Sequence, residues 1–350
     1  MKHIILVSAM AFMACTSVNR PTISSEEWGS VDSKPVYLYT LVNSNGVTAK
    51  FSNYGGIFLA CYAPDRDGNI ENIVLGPSTL EEVSRFPALG CIIGRYANRI
   101  GNARFTLDGI EYTLAANNGK NHIHGGIRGF RHKVWDAAAV SSDRHSATLS
   151  LVCYADDMEE GYPGNMTIKV DYVLNNDNEV QIRYSATTDK PTVINLTNHV
   201  YFNLTSSKED VKGHQVKLYA DAYTPVDEEK IPTGEIASVD GTPFDLRQWT
   251  VISDRLTELP SGFDHNFCVK GTPGNAVLAA ELYDPQSGRL LQTYTTEPGV
   301  QFYTAGSSFR GACFETQHYP DSPNKPNFPT TVLRPGETYT QVTIYKVGVK

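Results

Sequence analysis

From Val36 onward, apolar side chains recur at every second residue and the runs are cut at short intervals by turn dipeptides. That is the pattern of a chain that lays down antiparallel strands. Phe105-Thr106-Leu107 and Ile110-Glu111-Tyr112 flank Asp108-Gly109, which predicts a hairpin with a two-residue loop. Met166, Ile168, Val170, Tyr172 and Leu174 alternate, Asn175 to Asn178 turn the chain, and Val180, Ile182 and Tyr184 resume, which predicts a second hairpin. Further strands are expected around 36–41, 147–154, 277–283, 290–296 and 341–349. Helical periodicity is scarce, and the one short helix expected is at 78–83, where Ser78 and Glu81 have capping-box spacing. Long polar, proline-rich stretches at 221–250 and 315–331 have the length of loops that carry function in compact domains. No fixed-period repeat and no shift in composition marks a second unit. The reading is therefore an all-β chain whose residues 35–350 form a single large antiparallel β-sandwich.

The first residues break this pattern. Lys2 and His3 precede an apolar run, Ile4 to Met13, that is too short to span a bilayer and has the length of an export-signal core. Phe12-Met13-Ala14-Cys15 resembles a bacterial lipoprotein cleavage box, although leucine is more usual where Phe12 stands. The resemblance implies a signal segment over 1–15 with Cys15 as the lipidated residue, and hence a periplasmic or outer-membrane-anchored protein. Residues 16–34, rich in Ser and Thr with Pro21 and no apolar periodicity, read as a flexible tether. Membrane contact would then run only through that lipid.

Composition excludes other classes. Hydrophobic residues make up 41% of the 350, charged residues 19%, and the formal net charge is -8, with no basic stripe to hold nucleic acid. Beyond Cys15 the cysteines are Cys61, Cys91, Cys153, Cys268 and Cys313, an odd and scattered set that forms neither a disulfide framework nor a CxxC zinc pair. They read as small buried hydrophobes.

The chemistry concentrates in a few segments. Asn195-Leu196-Thr197-Asn198-His199-Val200-Tyr201-Phe202-Asn203-Leu204, read as a strand, puts Ile194, Leu196, Val200 and Phe202 on one face and Asn195, Thr197, His199 and Tyr201 on the other. The second face suits a hydroxyl-rich ligand. Five more segments cluster polar and aromatic residues where an ordinary strand would alternate: Gly94-Arg95-Tyr96-Ala97-Asn98-Arg99-Ile100, Asn121-His122-Ile123-His124-Gly125-Gly126, Gly262-Phe263-Asp264-His265-Asn266-Phe267, Gly299-Val300-Gln301-Phe302-Tyr303-Thr304 and Cys313-Phe314-Glu315-Thr316-Gln317. On residue type alone, Glu315 and Arg99 would be solvated surface charges and Asp264 a turn cap. His122 and His124, two apart, would share a strand face, but no third metal ligand is apparent.

Together, and in this order, the six segments resemble the galactose mutarotase (aldose 1-epimerase) family from about Val36 to the end. The resemblance implies that family's supersandwich fold and the interconversion of α and β anomers of free aldoses of the galactose and glucose class, with no cofactor and no metal. It implies Glu315 as general base, His199 as general acid at the ring oxygen and His124 as a second active-site histidine that hydrogen-bonds the sugar. Asn98, Arg99, Asp264 and Gln301 fall on sugar-binding positions of the family. Tyr162, in a turn-rich segment similar to one near the family's site, fits ligand contact and turn packing equally. Tyr201, Phe302 and Tyr303 are open between core packing and stacking on a sugar. A sugar-binding lipoprotein without catalysis and an epimerase of hexose 6-phosphates are the alternatives, the latter calling for a basic cluster that Arg95, Arg99 and Arg131 do not supply. The preferred aldose and the oligomeric state are not legible.

Overall fold

The computed structural model describes residues 20–85, 88–272 and 274–350. Its largest sheet has nine antiparallel strands in the spatial order Asp136–Ser142, Ser146–Ala155, Met166–Asn175, Glu179–Thr188, Tyr339–Val349, Arg289–Thr295, Val277–Tyr283, Gln215–Leu218 and Thr250–Val251. The C-terminal strand pairs on one side with Glu179–Thr188 and on the other with Arg289–Thr295, so the last residues stitch the two halves of the sheet together. Tyr172, Ile182 and Thr343 lie opposite one another in register and therefore share a face.

Two five-stranded sheets cover that face. One is a meander of Thr22–Val31, Lys34–Val42, Thr48–Ser52, Phe58–Pro64 and Ile70–Asn72, seated through the stack of Phe51 on Tyr172 at 4.2 Å between centroids. The other runs Ala237–Ser238, Ala222–Tyr223, Asp264–Cys268, Gly299–Tyr303 and Cys313–Gln317. It is seated through the Tyr345 hydroxyl, which donates to the Phe314 carbonyl at 3.0 Å, and a 2.6 Å contact of the Thr316 and Thr343 hydroxyls. The alternating apolar residues of all three sheets merge into one core that includes Phe51, Tyr172, Ile182, Phe202, Phe302 and Phe314. No helix among the described residues is long and apolar enough to cross a membrane.

The two expected hairpins form, with Leu107 opposite Ile110 and Leu174 opposite Val180. Three local expectations need correction. The helix runs Leu80–Arg85 and its box is one residue later than read: the Glu82 amide donates to the Thr79 hydroxyl at 3.3 Å, while the Glu82 carboxylate accepts from the Ser78 amide at 2.7 Å. Residues 22–34 are not a flexible tether, because Thr22–Val31 is the edge strand of the first sheet and turns into Lys34–Val42 through Asp32 and Ser33, both at positive φ. An edge strand needs no apolar alternation, and Ile23 and Trp28 pack inward to hold it. Finally, 194–204 is not one continuous strand. With Thr192–Val193 just before it, which pairs with Val332–Leu333, it is a run of short pairings, Thr197–Asn198 with Ile92–Ile93 and Tyr201–Phe202 with Val74–Leu75. Its apolar residues reach the core as expected, and Asn195, Thr197 and His199 are buried as well.

Candidate active site

The three last strands of the second five-stranded sheet build one wall of the site. Gln301 lies opposite Asn266 on one side and Glu315 on the other, and Tyr303 lies between Asp264 and Cys313. Because side chains alternate, Asp264, Gln301, Tyr303 and Glu315 share the face away from the core, while Val300, Phe302 and Phe314 anchor the same strands from beneath. Phe302 and Phe314 stack there at 5.2 Å. On the site face the Gln301 amide donates to Asp264 at 2.7 Å, and the Arg99 guanidinium stands 3.8 Å from the other Asp264 oxygen.

The opposing wall comes from 195–201 and 94–100. Asn195 ties these walls together: its backbone is bonded to Arg95 and Ala97, and its side chain exchanges hydrogen bonds with the backbone of His318, just past Gln317. The chain then brings His199 over the sheet, its amide donating to the Cys91 carbonyl at 2.9 Å. His199 Nε2 lies 3.7 Å from Glu315 Oε1. The imidazole is stacked flat on Tyr201, with centroids 4.9 Å apart, and meets Tyr303 edge-on.

His124 enters from a third direction. Its φ is +52° and that of Asn98 is +59°, left-handed values that non-glycine residues rarely hold, and the two strained residues bond each other. The His124 amide donates to the Asn98 carbonyl at 3.0 Å, and the Asn98 amide donates to His124 Nδ1 at 3.2 Å. Nδ1 is thereby an acceptor, so in the neutral ring Nε2 carries the proton. The glycines that follow are required by space as well as by φ: a Cβ on Gly125 would sit 1.9 Å from the Gly94 carbonyl oxygen.

Donor atoms of His124, His199 and Glu315 lie within 4.8 Å of one another, a spacing compatible with a metal ion. The hydrogen bonding does not fit one. A metal-ligating histidine normally donates its second N–H to an acceptor, whereas His124 Nδ1 already accepts from Asn98, which leaves Nε2 without a lone pair to offer. His124 is arranged to donate a hydrogen bond.

Burial sets the protonation of the facing pair. It pushes Glu315 up to about 8, with the Asp264 carboxylate adding to the effect and the Arg99 guanidinium opposing it. Burial also pushes His199 down to about 4, Asp264 opposing and Arg131 adding. Between those values the pair holds a single proton. Glu315 Oε2, His199 Nδ1, Gln301 Oε1 and Thr197 Oγ1 are buried without a hydrogen-bond partner in the protein. Unmatched buried polar groups are costly, and a polar ligand reaching these atoms would supply the missing partners.

Of the site residues read from sequence, Asn98, Arg99, His124, His199, Asp264, Gln301 and Glu315 converge. Tyr162 does not: it is 1% exposed, packs with Tyr96 and Phe105 in a separate core, and its hydroxyl meets His122 Nε2 at 2.7 Å. His122 is likewise structural, its Nδ1 lying 2.8 Å from the Ala115 carbonyl, and the left-handed turn at His124 points the two histidines apart. Tyr201 and Tyr303, open between core and ligand in the sequence, flank His199. Arg131, weighed in the sequence only with Arg95 and Arg99 as too small a basic cluster for phosphate, bonds the loop that carries His124, and only tertiary contact could have revealed that. Cys15 lies outside the described residues.

The family described as "Aldose 1-epimerase" matches residues 37–346. The chain belongs to this family. Among aldose 1-epimerase family relatives, the galactose mutarotase of Bos taurus is 41% identical over 88% of this chain and 93% of its own length. The aldose 1-epimerase of Escherichia coli K12 is 36% identical over 90% and 96%. The galactose 1-epimerase of Lactobacillus acidophilus NCFM superposes with a TM-score of 0.83 at 29% identity, covering 94% of this chain and 99% of that one.

Proposed function

We propose that this protein is an aldose 1-epimerase that interconverts the α and β anomers of free aldoses of the galactose and glucose class. The observation that carries the reading is the buried pair of Glu315 and His199, a carboxyl and an imidazole 3.7 Å apart, beside unpartnered polar atoms. Ring opening needs one base and one acid. In the resting pair burial keeps the single proton on Glu315; the reactive form is the one in which that proton has moved to His199, and sugar hydroxyls donating to the Glu315 carboxylate favour it. From that form Glu315 takes the proton of the C1 hydroxyl, the C1–O5 bond breaks as C1 becomes an aldehyde, and His199 protonates O5. After rotation about C1–C2 the steps run backwards on the other face of the carbonyl: His199 recovers the proton from the O5 hydroxyl and Glu315 returns one to O1. The pair ends as it began.

His124 Nε2–H is the donor that holds the oxygen where charge develops. Asn98, Arg99, Asp264 and Gln301 fix the ring hydroxyls in one register, Gln301 Oε1 and the Asp264 carboxylate as acceptors and Arg99 as donor. A free rather than a phosphorylated sugar fits, because two of the three nearby arginines are already committed, which leaves Arg99 alone as a cationic donor to the sugar. Arg95 is buried on Pro163 and Thr192, Arg131 on loop carbonyls, and Arg99 beside Asp264. Polarimetry of freshly dissolved α-galactose and α-glucose tests the assignment: the wild type accelerates the approach to equilibrium and Glu315→Gln does not. A folded wild-type protein that accelerates neither sugar would sink it.

We infer also that Cys15 is lipidated and that the protein is exported and membrane-anchored. The reading is supported by the charged start, the apolar run to Met13 and Ala14 before the cysteine. The six residues from Thr16 to Pro21 then separate the lipid from the first strand, a reach of at most about 20 Å. Mass spectrometry of the membrane-fraction protein reports an acylated Cys15; an intact, unmodified N-terminus in the soluble fraction refutes it.

A further inference from the structure

The loop from His124 to Gly129 is gripped on both sides by side chains that belong to no reactive group. From one side the Arg131 guanidinium donates through Nη1 to the His124 carbonyl and through Nη2 to the Gly126 carbonyl, each at 2.8 Å. From the other side the Glu160 carboxylate accepts from the Ile127 amide at 3.0 Å and from the Arg128 amide at 2.7 Å, one oxygen for each. Both contacts are forked and charge-assisted, the kind that fixes orientation as well as distance. Gly126 is at φ +96°, and a Cβ there would sit 2.1 Å from Glu160 Oε2, so the carboxylate fills the place a side chain would take.

The grip answers a need. His124 holds a left-handed backbone angle, and its ring is held by one hydrogen bond, 3.2 Å from the Asn98 amide, and an edge-on contact with the His199 ring at 5.3 Å. Ile127 and Arg128, at the loop tip, are exposed and bring no apolar anchor to the core. A strained residue on an exposed loop keeps one geometry only where its surroundings over-determine it. Arg131 and Glu160 supply that constraint from two different parts of the chain.

We propose that Arg131 and Glu160 are positioning residues that clamp the His124–Gly129 loop and so hold the His124 imidazole against the sugar, an inference that rests on the hydrogen-bonding role of His124 proposed above. The test uses Arg131→Ala, Glu160→Gln, the double variant and His124→Gln. Initial rates are measured by polarimetry, and the His124 ring nitrogens are followed by NMR in the full folded domain. Each clamp variant is expected to lower kcat about tenfold to a hundredfold, the cost of misplacing a group by about an ångström, with KM changed less. The double variant should lose little more than the worse single, because both contacts hold one loop. Guanidinium ion at tens of millimolar should restore part of the activity of Arg131→Ala, which a general loss of folding would not allow. Full activity in both single variants, or rate losses that multiply with no change in the His124 signals, overturns the clamp. If His124→Gln itself retains full rate, the role of His124 fails separately. The NMR signals then decide: altered His124 shifts in Arg131→Ala uphold the clamp, and unaltered ones overturn it.

Discussion

Replacing Glu315 by glutamine should abolish catalysis and, above neutral pH, make the protein harder to unfold. Burial raises the Glu315 carboxyl from 4.5 to about 8. The folded state therefore keeps a proton that the unfolded chain releases, across the interval between those values. With more protons bound to the native state, stability falls as pH rises, by about 1.4 kcal/mol for each unit. This contribution is intact below pH 4.5 and is spent by about pH 8, a total of roughly 4–5 kcal/mol. Glutamine does not titrate and escapes the loss. It carries a pH-independent cost instead, about 1–3 kcal/mol, for an amide whose N–H groups inherit the unpartnered place of Glu315 Oε2. The two stability curves should cross at roughly pH 6, with the variant the weaker at pH 5 and the stronger at pH 8. Urea unfolding at pH 5, 6, 7 and 8, followed by the fluorescence of Trp28, Trp135 and Trp249, measures the difference. Other titrating groups are common to both proteins and cancel. Curves that stay parallel from pH 5 to 8 would refute the claim that burial of this carboxyl costs stability, and with it the picture of an active site held at the expense of the fold.

The rate itself should be level between about pH 4 and about pH 8, where the His199 and Glu315 pair holds one proton, and should fall outside that window as the pair gains a second proton or loses its last. A limb near pH 6.5 in kcat/KM would contradict that. His199→Asn should lower kcat about 10²–10⁴-fold with KM little changed, whereas a rise in KM alone would make it a binding residue. Gly125→Ala should fail to fold stably or lose nearly all activity, because the new methyl meets the Gly94 carbonyl; a stable, active protein would show that the loop yields. A chain starting at residue 35 should be less stable than one starting at residue 20 by about 2–4 kcal/mol, through the lost packing of Ile23 and Trp28. Equal melting of the two truncations would show the edge strand to be dispensable.

Much of the fold was legible because strands announce themselves locally. The hairpin at Asp108-Gly109 and the alternation from Met166 to Tyr184 need only neighbours in sequence, and both appear where expected. The edge strand Thr22–Val31 was missed because an outer strand can be polar on both faces, and because its turn at Asp32 and Ser33 lacks the glycine that signals such loops. The helix was read one residue early because Ser78 and Thr79 both offer a capping hydroxyl.

At the site, the resemblance of six ordered segments to the aldose 1-epimerase family named Glu315, His199, His124, Asn98, Arg99, Asp264 and Gln301, where residue type alone made Glu315 and Arg99 surface charges and Asp264 a turn cap. Sequence could not decide between packing and ligand contact for Tyr162, since a buried tyrosine–histidine bond and a ligand contact use the same residue. The chain by itself determined the alternation, the turns and the chemical groups on hand, because these depend on properties of single residues and short spacings. Tertiary structure alone decided which groups meet. The register of three strands aligns Asp264, Gln301 and Glu315, the Asn195 side chain joins the two walls, and two left-handed residues set the tautomer of His124. It also decided the proton count of the Glu315 and His199 pair, because a pKa depends on the water excluded and the charges nearby, and both are properties of the folded site.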